Sequence, residues 1–291
     1  MANAIDASVR PVDVIGVTAD GSRAKRDVAA TEEPLEIRLG GSPFVVIMRT
    51  PGADRELAAG FLLSEQIIRS SQDISAIRPC TDDRGEEQPN VLNVWLAGAA
   101  AERAASRLAD RRLVAANSAC GVCGRRSIDD LMESVRHVSW RGPCQVRVGE
   151  PDTARPTISR GVITALPGRL RAAQAGFDES GGFHAAGLFG PDGSLVAIAE
   201  DVGRHNAVDK VIGTQLLENR LPLGDAILFV SGRTSFEIIQ KAVVAGIPIV
   251  AAVSAPSSLA VDLAHQSGTT LIGFVRGGTF NIYAGAERIG L

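Results

Sequence analysis

Cys120 and Cys123 stand three residues apart in the stretch NSACGVCGRR, Asn117 to Arg126, and make up half of the cysteine in the chain. A CxxC pair can be half of a zinc site, a redox dithiol, or a nucleophilic site that accepts an atom such as sulfur and passes it on. A structural zinc site needs a second pair of ligands. His137 and Cys144, the nearest candidates, form neither a second CxxC nor a close Cys/His pair. A thioredoxin-type dithiol opens a helix after the first strand of its fold, whereas this pair lies mid-chain behind an expected helix. The surroundings suit reactivity. Arg125 and Arg126 follow directly, and Ser127 with Asp130 three residues on has the pattern of a helix N-cap with an acid in the first turn. Positive charge and a helix N-terminus both stabilise a thiolate, which is the nucleophile. Gly121 and Gly124 give the loop freedom to swing between two partners.

A second set of candidates lies in three short segments: Ser231-Gly232-Arg233-Thr234-Ser235, Ser254-Ala255-Pro256-Ser257-Ser258 and Arg276-Gly277-Gly278-Thr279. Each follows an apolar run and mixes hydroxyls with small residues. Caps and turns account for any one of them. All three on one rim, with two leading into helices, would suit phosphate or a nucleotide-like ligand. The run from Glu200 to Asn206 places Arg204 and His205 at an element junction, and His184 follows Gly181-Gly182. Such a cluster can bind or orient a ligand, or simply cap and turn the chain.

The elements that must position these residues are legible in the periodicity. Leu35, Ile37 and Leu39 alternate as in a half-buried strand, and Gly40 to Pro43 turns into a second strand, Phe44–Met48. A helix is expected from Arg55 to about Arg69, a strand over Val91–Leu96 and a helix over Ala99–Leu113. Ala185–Phe189 and Leu195–Ala199 read as a hairpin. Strands over 226–230, 247–253 and 270–275 then alternate with helices over 206–217, 234–245 and 257–265. Unbroken apolar strands alternating with helices indicate α/β class, with parallel strands buried on both faces. The expected organisation is a mobile tail over residues 1–21, a small α+β domain over 22–118, the CxxC loop over 119–126, and an α/β domain over 127–291.

With 291 residues, 22% charged, and a formal charge of −3, the chain is ordinary for a soluble globular protein and is not expected to bind nucleic acid. No apolar run is long enough to span a bilayer, and the first residues lack a secretory pattern, so a cytoplasmic location with reduced thiols is expected. Cys80 and Cys144 have no motif around them and are expected to be structural.

The motifs together resemble the FdhD family of sulfur carrier proteins needed for formate dehydrogenase activity. The resemblance runs from about Glu32 to Tyr283. It is carried by Glu32-Glu33-Pro34-Leu35, Gly60-Phe61-Leu62, Ser118 to Gly124, Gly181-Gly182-Phe183-His184, Asp201 to Lys210, Ser231-Gly232-Arg233 and Gly273-Phe274-Val275-Arg276. It departs at Gln66, where the family often has Gly, and at Ser180, where Thr is frequent. The resemblance implies a cytidine deaminase-like fold for the C-terminal part and a homodimer. It implies that sulfur passes from a cysteine desulfurase, as a persulfide, to the molybdenum (or tungsten) bis-pterin guanine dinucleotide cofactor, Mo-bis(molybdopterin guanine dinucleotide), which then goes to the formate dehydrogenase apoenzyme. Cys120 matches the persulfide-bearing cysteine and Cys123 the second cysteine. Phe274, Val275, Arg276, Gly277, Gly278 and Thr279 match the cofactor-binding segment.

Deamination is not expected, because the His-x-Glu and Pro-Cys-x-x-Cys signature of zinc deaminases is missing. Two rivals to sulfur transfer remain distinct in what they predict. A cofactor chaperone without chemistry would need the rim and not the thiols; a zinc-stabilised interaction protein would hold stoichiometric metal.

Overall fold

The computed structural model describes residues 8–111 and 157–291. Cys120, Cys123, Cys144 and the helix expected from Ser127 lie outside the described residues. The architecture is mixed α/β.

The chain opens with a ribbon, β1 (Val9–Thr18) and β2 (Gly21–Ala30), paired antiparallel from Val9↔Ala30 to Thr18↔Gly21. Residues 8–21 were expected within a mobile tail, and the structure corrects this. The ribbon escapes a periodicity reading because most of both its faces is open to solvent, so no apolar alternation marks it.

A four-stranded sheet follows, built from β3 (Glu33–Leu39), β4 (Ser42–Arg49), β5 (Ile74–Thr81) and β6 (Glu87–Leu96) in the order β4-β3-β6-β5. Leu35, Ile37 and Leu39 all point into the core, as their alternation predicts. Between β4 and β5 lies α1 (Asp54–Ser64). It stops five residues before the expected end at Arg69, and Gln66 sits just beyond it at φ 58°, a left-handed conformation. That is the position where the resembled family often has glycine, the residue that adopts this conformation without strain. After β6 comes α2 (Ala99–Arg111).

The second half begins with a short β7 (Ile158–Ser159), α3 (Arg160–Ala172) and α4 (Ala175–Ser180). The main sheet then forms from β8 (His184–Phe189), β9 (Leu195–Asp201), β10 (Ile227–Val230), β11 (Ile249–Ala252), β12 (Thr270–Arg276) and β13 (Thr279–Ala284). Its order is β13-β12-β11-β10-β8-β9, with β10, β11 and β12 parallel and an antiparallel hairpin at either edge. Helices α5 (Arg204–Leu217), α6 (Phe236–Val244) and α7 (Ser258–Ser267) connect the strands, and a short β14 (Ile289–Gly290) pairs with β7. Every residue of β10 and β11 is buried. Leu228, Val230, Val250 and Ala252 face one hydrophobic core, while Ile227, Phe229, Ile249 and Ala251 face the other. This two-sided burial explains why those strands read as unbroken apolar runs.

The two sequence-defined units share a core. Leu57 and Leu62 of α1 belong to the same cluster as Val208 and Ile212 of α5. The two helices touch through glycines. A Cβ on Gly60 would lie 2.0 Å from the carbonyl oxygen of Asp209, and one on Gly213 would lie 1.9 Å from that of Glu56. Among the described residues, no helix is long and apolar enough to cross a membrane.

Candidate functional site

The three expected rim segments do meet. They lie beyond the C-terminal ends of β10, β11 and β12 and are tied together by backbone. Thr234 N–H donates to Ala255 O, Ser257 N–H to Thr234 O, and Phe274 N–H to Ser254 O. β8 runs antiparallel to β10, so its first residue, His184, stands at the same edge.

Much of the polar chemistry here is spent on holding the rim. Ser231 Oγ accepts from Ala185 N–H at 2.9 Å. Ser257 caps α7 by accepting from Ala260 N–H, and Thr234 is buried. Arg276↔Thr279 is a register pair closed by Gly277 and Gly278, both left-handed at φ 59° and 79°. This is a two-residue hairpin turn, for which a pair of glycines is the natural choice. Arg276, Gly277, Gly278 and Thr279 are exposed at its tip. The Arg276 guanidinium lies 5.2 Å from the centre of the Phe274 ring. Val275, between them, is fully buried in the core on the other side and offers nothing to a ligand. Phe274 is left-handed at φ 55° within a register break between Gly273 and Arg276, and this bulge sets Val275 on the same core as Ile272, three residues earlier.

A tighter convergence lies at β8, β10 and the start of α5. A Cβ on Gly232 would be 3.4 Å from His184 Nδ1 and 3.6 Å from Arg204 Cδ, so both side chains crowd the space that glycine leaves. Arg204 Nε is buried without a hydrogen bond among the described residues. Burial holds His184 below its ordinary pKa, helped by the Arg204 charge and opposed by Asp201. His205 sits deeper. Its Nε2 lies 2.9 Å from Ser235 Oγ and 3.8 Å from Glu237. Burial, then the charges of Lys241 and Arg204, push its pKa down to about 4. Both imidazoles are therefore neutral near pH 7, and Arg204 and the exposed Arg233 supply the positive charge of this corner.

The rest of the Asp201–Lys210 motif is structural. Asp201 is completely buried. It accepts from Thr50 N–H, Gly203 N–H and Asn206 Nδ2, and pairs with Lys210 Nζ at 2.8 Å. Asn206 also donates to Met48 O and Lys210 to Thr50 O. The motif thus pins α5 to the end of β4. A second buried pair, Lys241–Asp209 at 2.6 Å, joins α6 to α5, and Ser64 of α1 donates to the same Asp209. Burial pushes the Asp209 carboxyl up, against the pull of Lys241.

Beside His184 and Ser231 opens a cavity of about 470 Å³. Its further wall is made by α3 and α4, which sequence reasoning missed, and includes Leu170, Arg171, Gln174 and Phe177. The signal for α3 was present in Ile163, Leu166 and Leu170, all buried and spaced as one helix face. Pro167 in the middle of that run masks it. α4 is anchored by Glu200, whose carboxylate accepts from Gly176 N–H and Phe177 N–H.

Comparison with known proteins gives the family and the fold. The family model for the FdhD/NarQ family matches residues 30–290. The chain is 49% identical over 279 residues to the sulfur carrier protein FdhD of Nocardia farcinica, covering 95% of this chain and 93% of that protein. It is 48% identical over 278 residues to the protein of the same name from Streptomyces coelicolor, covering 94% and 93%. The fold matches the crystal structure of a candidate formate dehydrogenase accessory protein from Desulfotalea psychrophila with a TM-score of 0.70 at 23% identity, over 97% of this chain and 99% of that one.

Proposed function

Since the chain belongs to the FdhD/NarQ family, we propose that it is a sulfur carrier, a sulfurtransferase that takes sulfur from a cysteine desulfurase on Cys120 and delivers it to the Mo-bis(molybdopterin guanine dinucleotide) cofactor before the cofactor enters formate dehydrogenase. The names of its relatives support the carrier role and the formate dehydrogenase connection. The observation that carries the structural side is the corner formed by His184, Arg204 and Gly232 beside an open cavity. It combines a cation, a neutral imidazole and room for an anionic cargo.

The chemistry balances as follows. The Cys120 thiolate attacks the outer sulfur of the desulfurase persulfide, and the donor thiolate leaves. Cys120 then holds a persulfide. Cys123 attacks the inner sulfur, releases hydrosulfide to the cofactor, and supplies the two electrons by closing a Cys120–Cys123 disulfide. A cellular thiol reduces that disulfide for the next cycle. The protein works in the cytoplasm as a homodimer, where thiols stay reduced.

The test is to incubate the purified chain with a cysteine desulfurase and cysteine and to map thiol masses by peptide. One sulfur added to the Cys120 peptide and removed by reductant is the expected result. An unmodified Cys120 beside an active desulfurase would favour cofactor binding without sulfur chemistry.

A further inference from the structure

The further wall of the cavity has a rooted half and a latched half. α3 is rooted in the core by Ile163, Leu166 and Leu170. α4 has no buried residue of its own. An element that buries so little opens locally at low cost. The chain leaves α4 through Gly181, left-handed at φ 67°, and Gly182, a pair that gives the backbone freedom to turn.

What holds α4 comes from another strand. The first N–H groups of a helix have no partner inside it, and an N-cap side chain commonly supplies one. The N-cap of α4, Gln174, makes no such bond. Glu200 of β9 does the capping instead. One carboxylate oxygen accepts from Gly176 N–H at 2.8 Å and the other from Phe177 N–H at 2.9 Å. Glycine at 176 permits this approach, since a Cβ there would lie 3.2 Å from Glu200 Oε2 and 3.0 Å from the Phe183 ring. Neither oxygen meets a cation among the described residues, so the carboxylate is committed to α4. Glu200 is itself firmly placed, paired with Ala185 in the main sheet and followed by the buried Asp201. Phe177, whose N–H it holds, lines the cavity beneath the Arg171 guanidinium, 4.7 Å from its ring centre. We propose that Glu200 is a positioning residue for the cargo: its two hydrogen bonds hold α4 against the cavity, and their release lets α4 swing at Gly181 and Gly182 so that cargo enters and leaves. This deepens the sulfur-carrier reading and rests on it for the cargo.

The experiment is stopped-flow binding of N-methylanthraniloyl-GDP, standing for the nucleotide end of the cargo, to the full chain and to its Glu200→Gln and Glu200→Ala variants. Hydrogen exchange of the peptide spanning 174–181 is followed in parallel. Both variants are expected to exchange faster in that peptide. Labelled GDP should enter and leave them faster, each by about tenfold or more, because hydrogen bonds to a charged group are lost. The dissociation constant should change much less than either rate. A merely structural wall would behave otherwise, with faster exit and unchanged entry, and that result would overturn the proposal. Rates unchanged in both variants would overturn it too. Glu200→Gln, nearly the same in shape, keeps the test open if Glu200→Ala fails to fold. A wild-type chain that takes up no labelled GDP would remove the cargo reading and the latch with it, whereas entry and exit indifferent to Glu200 would remove the latch alone.

Discussion

Asp201 and Lys210 meet at 2.8 Å, at 0% and 4% side-chain exposure, one ending β9 and the other in the second turn of α5. Around them Thr50, Gly203 and Asn206 fill the remaining hydrogen-bonding positions of the carboxylate. Removing one partner of such a pair strands a buried charge. Lys210→Met is therefore expected to cost about 3–5 kcal/mol in urea unfolding. A loss too small to measure would mean that water reaches Asp201.

Crossing of α1 and α5 depends on the absence of two side chains. Gly60→Ala drives a methyl group to 2.0 Å from the Asp209 carbonyl, and backbone cannot yield as a flexible side chain can. The expected loss is roughly 3 kcal/mol, visible as a lowered thermal midpoint. Gly224→Ala, where a Cβ meets nothing within 4 Å, is the control and should leave the midpoint nearly unchanged.

His205 links stability to pH. Its folded pKa is lowered from 6.5 to about 4, so between those values the unfolded chain holds a proton that the folded chain does not. Its contribution is full above about pH 6.5 and is lost as pH falls toward 4. His184 acts in the same direction, while the raised Asp209 acts in the opposite one. The readout is therefore the difference between wild type and His205→Gln. The variant should show a flatter fall in urea midpoint across that window, and parallel curves would remove His205 from the balance.

Loading and delivery should separate at the two cysteines. Cys120→Ala is expected to abolish persulfide formation. Cys123→Ala should still load Cys120 but lose sulfide release, read as persulfide that persists when cofactor is added. If Cys123→Ala delivers sulfur at the wild-type rate, the electrons for release come from elsewhere.

What could be read from the sequence depended on whether burial left a periodic trace. β10 and β11 are buried on both faces and were legible as apolar runs. The β1–β2 ribbon has no such trace, and Ile15 and Val17 are 72% and 77% exposed. α3 was hidden by Pro167, and with it went Gln174 and Phe177 of the cavity wall. The rim segments were recognisable as loops after strands. Ser257 caps its own helix through Ala260 N–H, a local pattern, but the sequence does not disclose that Ser231 spends its hydroxyl on Ala185 N–H, because that partner comes from another strand. His184 and Arg204 were legible as candidates, but their meeting over Gly232 needs the β8–β10 pairing to be known.

The shared core of α1 and α5 has a consequence for how the chain is made. Ser64 and Asp209, hydrogen-bonded to each other, are separated by 145 residues. A ribosome working from the N-terminus releases α1 with its apolar face long before α5 exists to cover it. The four strands of the first sheet are all made by Leu96, yet α1 must wait uncovered while the stretch bearing Cys120 and Cys123 is translated. A fragment cut before α5 would display Leu57 and Leu62 to solvent, so the chain is to be expressed whole, and stalled synthesis would send it to chaperones.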